Sequence, residues 1–297
     1  MNHTDNHIPG FEFIDDASQA DVIFLANDYD VTSSAIKGTD KAPAAIKKML
    51  EKQIETRERY TGLDMSQKLK WHWHDMSNIN GLTPEDMVAK TKKIYQDIEQ
   101  NKLVIGIGGD HSIPIGIFQA IAEKQNPNDI TILHIDAHFD LRDIDEFRAK
   151  PFGKFAHCCV MRRAHELGFN IVSVGIRDYS AEELEYAQKN KSAISFFEMP
   201  DIKLKNILSS IKTKLLYISI DLDGFDPSVF PVTGTQVPGG ISWDTGIKLL
   251  QKTIASHTLI GADICETAVS DAEPFATYRT IFSAAKLAYL IPCLALK

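Results

Sequence analysis

The stretch Thr131-Ile-Leu-His-Ile-Asp-Ala-His-Phe-Asp140 runs from apolar residues into Asp136, His138 and Asp140. These three stand at alternate positions, so an extended backbone points them to one face. Two carboxylates and an imidazole crowded at a strand end repel one another or stay unpaired unless a cation joins them. Solvated acids capping a strand would explain one such stretch, but the pattern recurs. Leu215-Leu-Tyr-Ile-Ser-Ile220 ends in Asp221-Leu-Asp223, and Leu103-Val-Ile-Gly-Ile107 ends in Gly108-Gly-Asp-His-Ser112. Independent solvated acids are not expected to gather on three strand ends.

The candidate metal ligands are therefore His111, Asp136, His138, Asp140, Asp221 and Asp223. Four carboxylates and two imidazoles can neutralise two divalent cations. Carboxylate oxygen with some imidazole suits Mn²⁺ better than thiolate-seeking metals, though Zn²⁺, Ni²⁺, Fe²⁺ or Co²⁺ also fit. Two metals about 3.5–4 Å apart can share a hydroxide. That chemistry needs no serine or cysteine nucleophile.

Such ligands need a scaffold that brings strand ends together. Apolar strands are expected at 20–26, 70–75, 102–107, 130–136, 170–175, 193–197, 215–221 and 259–266. Helical patterns fall between them, at 43–55, 83–101, 112–124, 154–167, from 180, 203–212 and 242–256. A last helix starts near Glu273 and should break or kink before Pro292. Alternation of this kind gives a three-layer α/β/α fold with a mostly parallel central sheet. Ligands in such sheets bind outside the carboxyl ends of the strands. Residues 1–297 read as one domain, with polar residues 1–19 as an N-terminal arm. His72 and His74 share a face of a short strand, but no acids follow at ligand spacing, which disfavours a second metal site.

The net charge of −8 argues against nucleic acid as a partner. No apolar stretch is long enough to span a membrane, and no secretory signal opens the sequence. Cys158, Cys159, Cys265 and Cys293 match no zinc or disulfide spacing, so free thiols in a reducing cytoplasm are expected. Cys158-Cys159 is expected to pack on a helix.

Gly108-Gly-Asp-His-Ser112, Asp136-Ala-His-Phe-Asp140 and Ser219-Ile-Asp-Leu-Asp-Gly-Phe-Asp-Pro227 together resemble the signature motifs of the ureohydrolases, the family of arginase, agmatinase and guanidinobutyrase. Thr233-Gly-Thr235, Pro238-Gly-Gly240, Gly175-Ile-Arg177 and Asp263-Ile-Cys-Glu266 look like its other landmarks, and the resemblance extends over about residues 25–290. It implies an arginase-like fold with two Mn²⁺ per chain. His111 and Asp140 would hold one ion, His138 and Asp223 the other, and Asp136 and Asp221 would bridge. The implied reaction splits a guanidino group into urea and an amine. Glu266 would orient the guanidinium, because a carboxylate matches its two-pronged donor edge. Thr235 would add a hydrogen bond, and His157 would be the acid that protonates the leaving amine.

The run Lys154 to Arg163 looks agmatinase-like, so the expected substrate is agmatine, cleaved to putrescine and urea. Asp143, with Asp145 and Glu146, would read the amine tail. Arg142, Arg148, Lys150 and Lys154 in the same loop would instead suit a guanidino acid. Guanidinobutyrase, arginase and formimidoylglutamase are the alternatives, and a non-catalytic metal-binding subunit is disfavoured by the intact site. Ala42, Val232, Gln236-Val237 and Ala268-Val269 depart from the family pattern without removing a ligand. A homo-oligomer, trimer or hexamer, is expected from the resemblance.

Overall fold

The structure, a computed structural model, describes residues 11–76, 78–98, 101–146 and 153–296. Among these residues, eight strands form one sheet in the order β2-β1-β3-β8-β7-β4-β5-β6. They are β1 Val22–Ala26, β2 Trp71–Asp75, β3 Leu103–Ile107, β4 Ile130–Ile135, β5 Asn170–Ile176, β6 Ile194–Glu198, β7 Leu215–Asp221 and β8 Thr258–Cys265. Every pairing is parallel. β1, β3 and β4 are buried at every position, as unbroken apolar runs between two helical layers should be. Edge strand β2 differs: Trp71 and Trp73 turn inward while His72 and His74 stay partly exposed. The alternation of this stretch is thus the pattern of an edge.

Helices α1 Ala42–Gln53, α6 Leu204–Ser210, α7 Trp243–Ser256 and α8 Pro274–Ala295 cover one face of the sheet. Helices α2 Pro84–Asp97, α3 Pro114–Lys124, α4 Val160–Glu166 and α5 Ala181–Lys189 cover the other. Side chains start several of them. The Thr83 hydroxyl accepts from Asp86 N, with Pro84 in the first turn, and Ser242 accepts from Thr245 N. Ser180 and Glu183 form the reciprocal capping box that their spacing predicts.

The largest departures from the sequence expectation are at three helix boundaries. α2 stops at Asp97. α4 starts at Val160, not Lys154, because Ala156 is extended and 157–159 form a 3₁₀ turn. The carbonyl of Asp140 accepts from the N–H groups of Met161 and Arg162, which fixes where this helix begins. α8 runs through Pro292 to Ala295. Proline in the last turn removes one backbone donor, and burial of Leu290, Ile291, Cys293 and Leu294 holds that turn against the sheet. None of the described helices is long and apolar enough to cross a membrane.

Candidate binuclear metal centre

β4 leads to β5 on one side of the sheet, and β7 leads to β8 on the other. The sheet therefore changes winding direction between β4 and β7, where a crevice opens at the carboxyl ends. Register places the acids there. Ile135 pairs with Ile220, so Asp136 and Asp221, one residue on, emerge side by side. β3 pairs with β8 through Ile107 and Ile264, which brings the loop carrying His111 beside Glu266.

All six candidate ligands meet at this crevice. His111 Nδ1 lies 3.0 Å from Asp140 Oδ2, 3.3 Å from Asp136 Oδ2 and 3.7 Å from Asp221 Oδ2. His138 Nδ1 lies 3.2 Å from Asp223 Oδ2 and 3.4 Å from Asp136 Oδ1. Asp136 thus turns one oxygen towards each imidazole. Backbone amides orient the acids: His138 N donates to Asp136, Ala137 N to Asp223, and Asp223 N to Asp221.

A fit to metal can be read from the hydrogens around His111. Ser219 Oγ donates to Asp263 Oδ1 at 2.9 Å, so it must accept from His111 Nε2–H, also at 2.9 Å. Neutral His111 then aims the Nδ1 lone pair at three carboxylates. Lone pairs facing carboxylates in a buried site repel unless a proton or a metal cation lies between. Without metal, protons take that place. Burial opposes charge on His111, yet hydrogen bonds to Asp136 and Asp140 hold its pKa well above the usual imidazole value. His138, against the same opposition, is pushed up to about 12 by Asp136 and Asp223. Burial likewise acts to raise Asp136, but His134 and the other imidazoles keep it ionised, well below the usual carboxylate range. Burial and neighbouring acids raise Asp221 well above that range and Asp140 to about 6. Oxygen and imidazole donors with this surplus of negative charge suit two divalent cations.

His134 also belongs to this site, beyond the six ligands expected from the sequence. Its Nε2 lies 2.8 Å from Asp136 Oδ2 and its Nδ1 3.1 Å from Ser173 Oγ. The signal was present: His134 extends the alternation of Asp136, His138 and Asp140 backwards along the same strand face.

Glu266 and Asp140 both adopt left-handed backbone, φ 61° and 53°. Such strain in non-glycine residues gathers at functional sites. Glu266 Oε1 accepts from His111 N at 3.0 Å. Its Oε2 passes so close to Gly234 that a Cβ there would lie 2.1 Å away. Burial and Asp110 raise the Glu266 pKa well above the carboxylate range. Glu266, Thr235, His157 and Cys158 line one cavity of about 680 Å³ together with His138, Asp140, Asp221 and Asp223. Cys159 is buried, with its sulfur 3.9 Å from that of Cys158.

Asp143 is placed elsewhere. Its carboxylate accepts from Arg163 Nη2 at 2.7 Å, and it is not among the cavity-lining residues. Asp145, Asp178 and Glu183 line the cavity instead, with Arg142. Arg148 and Lys150 lie outside the described residues.

A family model described as "Arginase family" matches residues 20–292. The chain belongs to the arginase family. An N(1)-aminopropylagmatine ureohydrolase of Synechocystis sp. is 30% identical over 286 residues, 94% of this chain and 90% of that protein. An agmatinase of Bacillus subtilis is 29% identical over 84% of each chain. The crystal structure of the agmatine ureohydrolase of Thermoplasma volcanium superposes with a TM-score of 0.79 at 26% identity, covering 95% of this chain and 92% of that one. This arginase-family protein is an enzyme, a ureohydrolase, and its crevice carries a candidate centre for divalent metal.

Proposed function

We propose that this enzyme hydrolyses a guanidino amine, with agmatine as its substrate and urea and putrescine as products. The charge of the cavity beyond the metal centre carries this reading. Among the described residues Asp145, Asp178 and Glu183 line it, against Arg142, whose Nε stands 3.8 Å from Glu183. A lining with this excess of acid favours an ammonium tail and disfavours a carboxylate.

His111 and Asp140 would hold one Mn²⁺, His138 and Asp223 the other, and Asp136 and Asp221 both. Bound there, the two cations would supply Lewis acidity and lower the pKa of water towards neutrality. The chain supplies the rest. Glu266 pairs with the planar guanidinium, whose charge stabilises the ionised form of this buried carboxylate. Thr235 hydrogen-bonds the same group from the facing loop. His157, on the cavity wall, donates the proton that lets the amine leave.

The test compares urea release from agmatine, N1-aminopropylagmatine, 4-guanidinobutyrate and arginine at equal metal loading. A kcat/KM for 4-guanidinobutyrate at least tenfold above agmatine, about 1.4 kcal/mol in transition-state binding, would reverse the assignment. N1-aminopropylagmatine is the second reading. It keeps the cationic tail in longer form, and the Synechocystis relative bears its name.

A homo-oligomer, trimer or hexamer, is part of the same proposal. Phe275, 88% exposed, and Tyr278, 51% exposed, on α8 support it as apolar surface open to a second copy. Light scattering on the metal-loaded enzyme would show it. A cytoplasmic location is supported by four cysteines that form no disulfide.

A further inference from the structure

Residues 28–38 join β1 to α1 and cross three parts of the site. Ser34 Oγ meets Thr235 Oγ1 at 3.3 Å, and Ile36 N donates to Gly234 O. Thr32 makes the deepest contacts. Its N–H donates to Asp110 Oδ2 at 2.7 Å, and its hydroxyl hydrogen-bonds the same carboxylate. Asp110 is fully buried, and its other oxygen accepts from the N–H and hydroxyl of Ser112. A buried carboxylate furnished in this way is a fixed anchor.

The Thr32 hydroxyl has one hydrogen, which Asp110 takes, and keeps lone pairs to accept with. His157 N donates to it at 3.0 Å, across 125 residues of sequence. His157 opens the 3₁₀ turn His157–Cys159, whose first N–H groups need an acceptor. The residue before it, Ala156, has no side-chain oxygen and makes no cap. Thr32 caps the turn from another part of the chain.

We propose that Thr32 is a positioning residue for His157: it ties the backbone of the proton donor to the buried Asp110 anchor. The inference rests on the proton-donor reading of His157. Thr32→Val keeps the shape and removes the acceptor. Thr32→Ser keeps the acceptor. Thr32→Ala removes it without placing a methyl group against Asp110, and serves if the valine variant loses metal.

The measurements are kcat and KM for urea release from agmatine, with metal content, for these variants, His157→Asn and the double variant Thr32→Val/His157→Asn. Loss of the acceptor should lower kcat by on the order of tenfold or more, since even a shift smaller than the ångström that costs about a hundredfold misaims a catalytic group. KM should hold within about twofold, because Thr32 is buried and does not line the cavity, and Thr32→Ser should recover most of kcat. The double variant should be no slower than His157→Asn alone, since groups acting as one unit are not additive. If His157→Asn keeps full kcat, the proton-donor reading fails, and this inference with it. If His157→Asn is slow but Thr32→Val and Thr32→Ala are not, only the role of Thr32 fails. Losses that add in the double variant also overturn it, because Thr32 would then act apart from His157.

Discussion

Gly234→Ala tests whether the position of the Glu266 carboxylate matters to the reaction. An added Cβ would sit 2.1 Å from Glu266 Oε2 and 3.1 Å from its Cδ, whereas ordinary contact begins at 3.4 Å. No other heavy atom outside Glu266 lies within 4 Å among the nearest contacts, so the clash falls on one side-chain end. The carboxylate must retreat by roughly an ångström, the scale on which a misplaced catalytic group costs about a hundredfold. It is buried and tied to His111 N, so it cannot swing into solvent without breaking that bond. The expected result is a fall in kcat/KM of about a hundredfold, or 2.7 kcal/mol. Folding should suffer little, because a side-chain end gives way more readily than backbone. Urea release from agmatine, melting temperature and metal content should be read on the same preparation. A variant that keeps its metal and loses less than threefold in kcat/KM would refute the role of Glu266 as the guanidinium's orienting group.

Three further outcomes are expected. Asp136→Ala should bind neither ion, because Asp136 turns one oxygen to each imidazole, and two tightly bound metals by elemental analysis would sink that bridging role. Glu266→Gln should keep its metal but lose about 1.5–3 kcal/mol of charge-assisted pairing, and near-normal kcat/KM would remove Glu266 from the site. Metal binding should release protons and strengthen as pH rises, because His111 and His138 hold protons across neutral pH when no cation is bound. The sign carries over to the metal-free fold: the His138 pKa is raised, so its contribution is full below the unfolded value near 6.5 and fades as pH climbs towards about 12. Calorimetry in buffers of different ionisation enthalpy reads the proton count, and a value near zero contradicts the protonated cluster.

The scaffold and the clustering of the six acids and imidazoles could be read from the chain because both are local in sequence. An apolar run marks each buried strand, and the chemistry stands on the next residues. The β4–β7 register then does the remaining work, since pairing Ile135 with Ile220 leaves Asp136 and Asp221 no choice but to adjoin. The misplaced boundaries have the opposite origin. α4 begins where the Asp140 carbonyl meets its amides, and α8 continues past Pro292 because the core holds its last turn. Neither cause is visible in a window of neighbouring residues.

The same distinction decides which site residues escape a reading of the sequence. Asp143 and Asp145 are chemically alike and two positions apart, so composition cannot rank them as tail readers. Arg163, on α4, decides by taking the Asp143 carboxylate and leaving Asp145 on the cavity wall. Thr32 is further still from recognition, as a threonine in a turn-rich loop whose partner lies 125 residues away. Candidate metal ligands must converge on one point and therefore sit at or just beyond rigid strand ends, where sequence patterns are strong. The residues proposed to choose the substrate or aim the proton donor sit on loops, and their geometry is fixed by contacts across the fold. Substitutions that retune this enzyme towards another guanidino compound should therefore fall in residues 28–38 and 141–159 rather than on the strand ends. A selection for 4-guanidinobutyrate cleavage whose gains map to β4 or β7 would contradict that division.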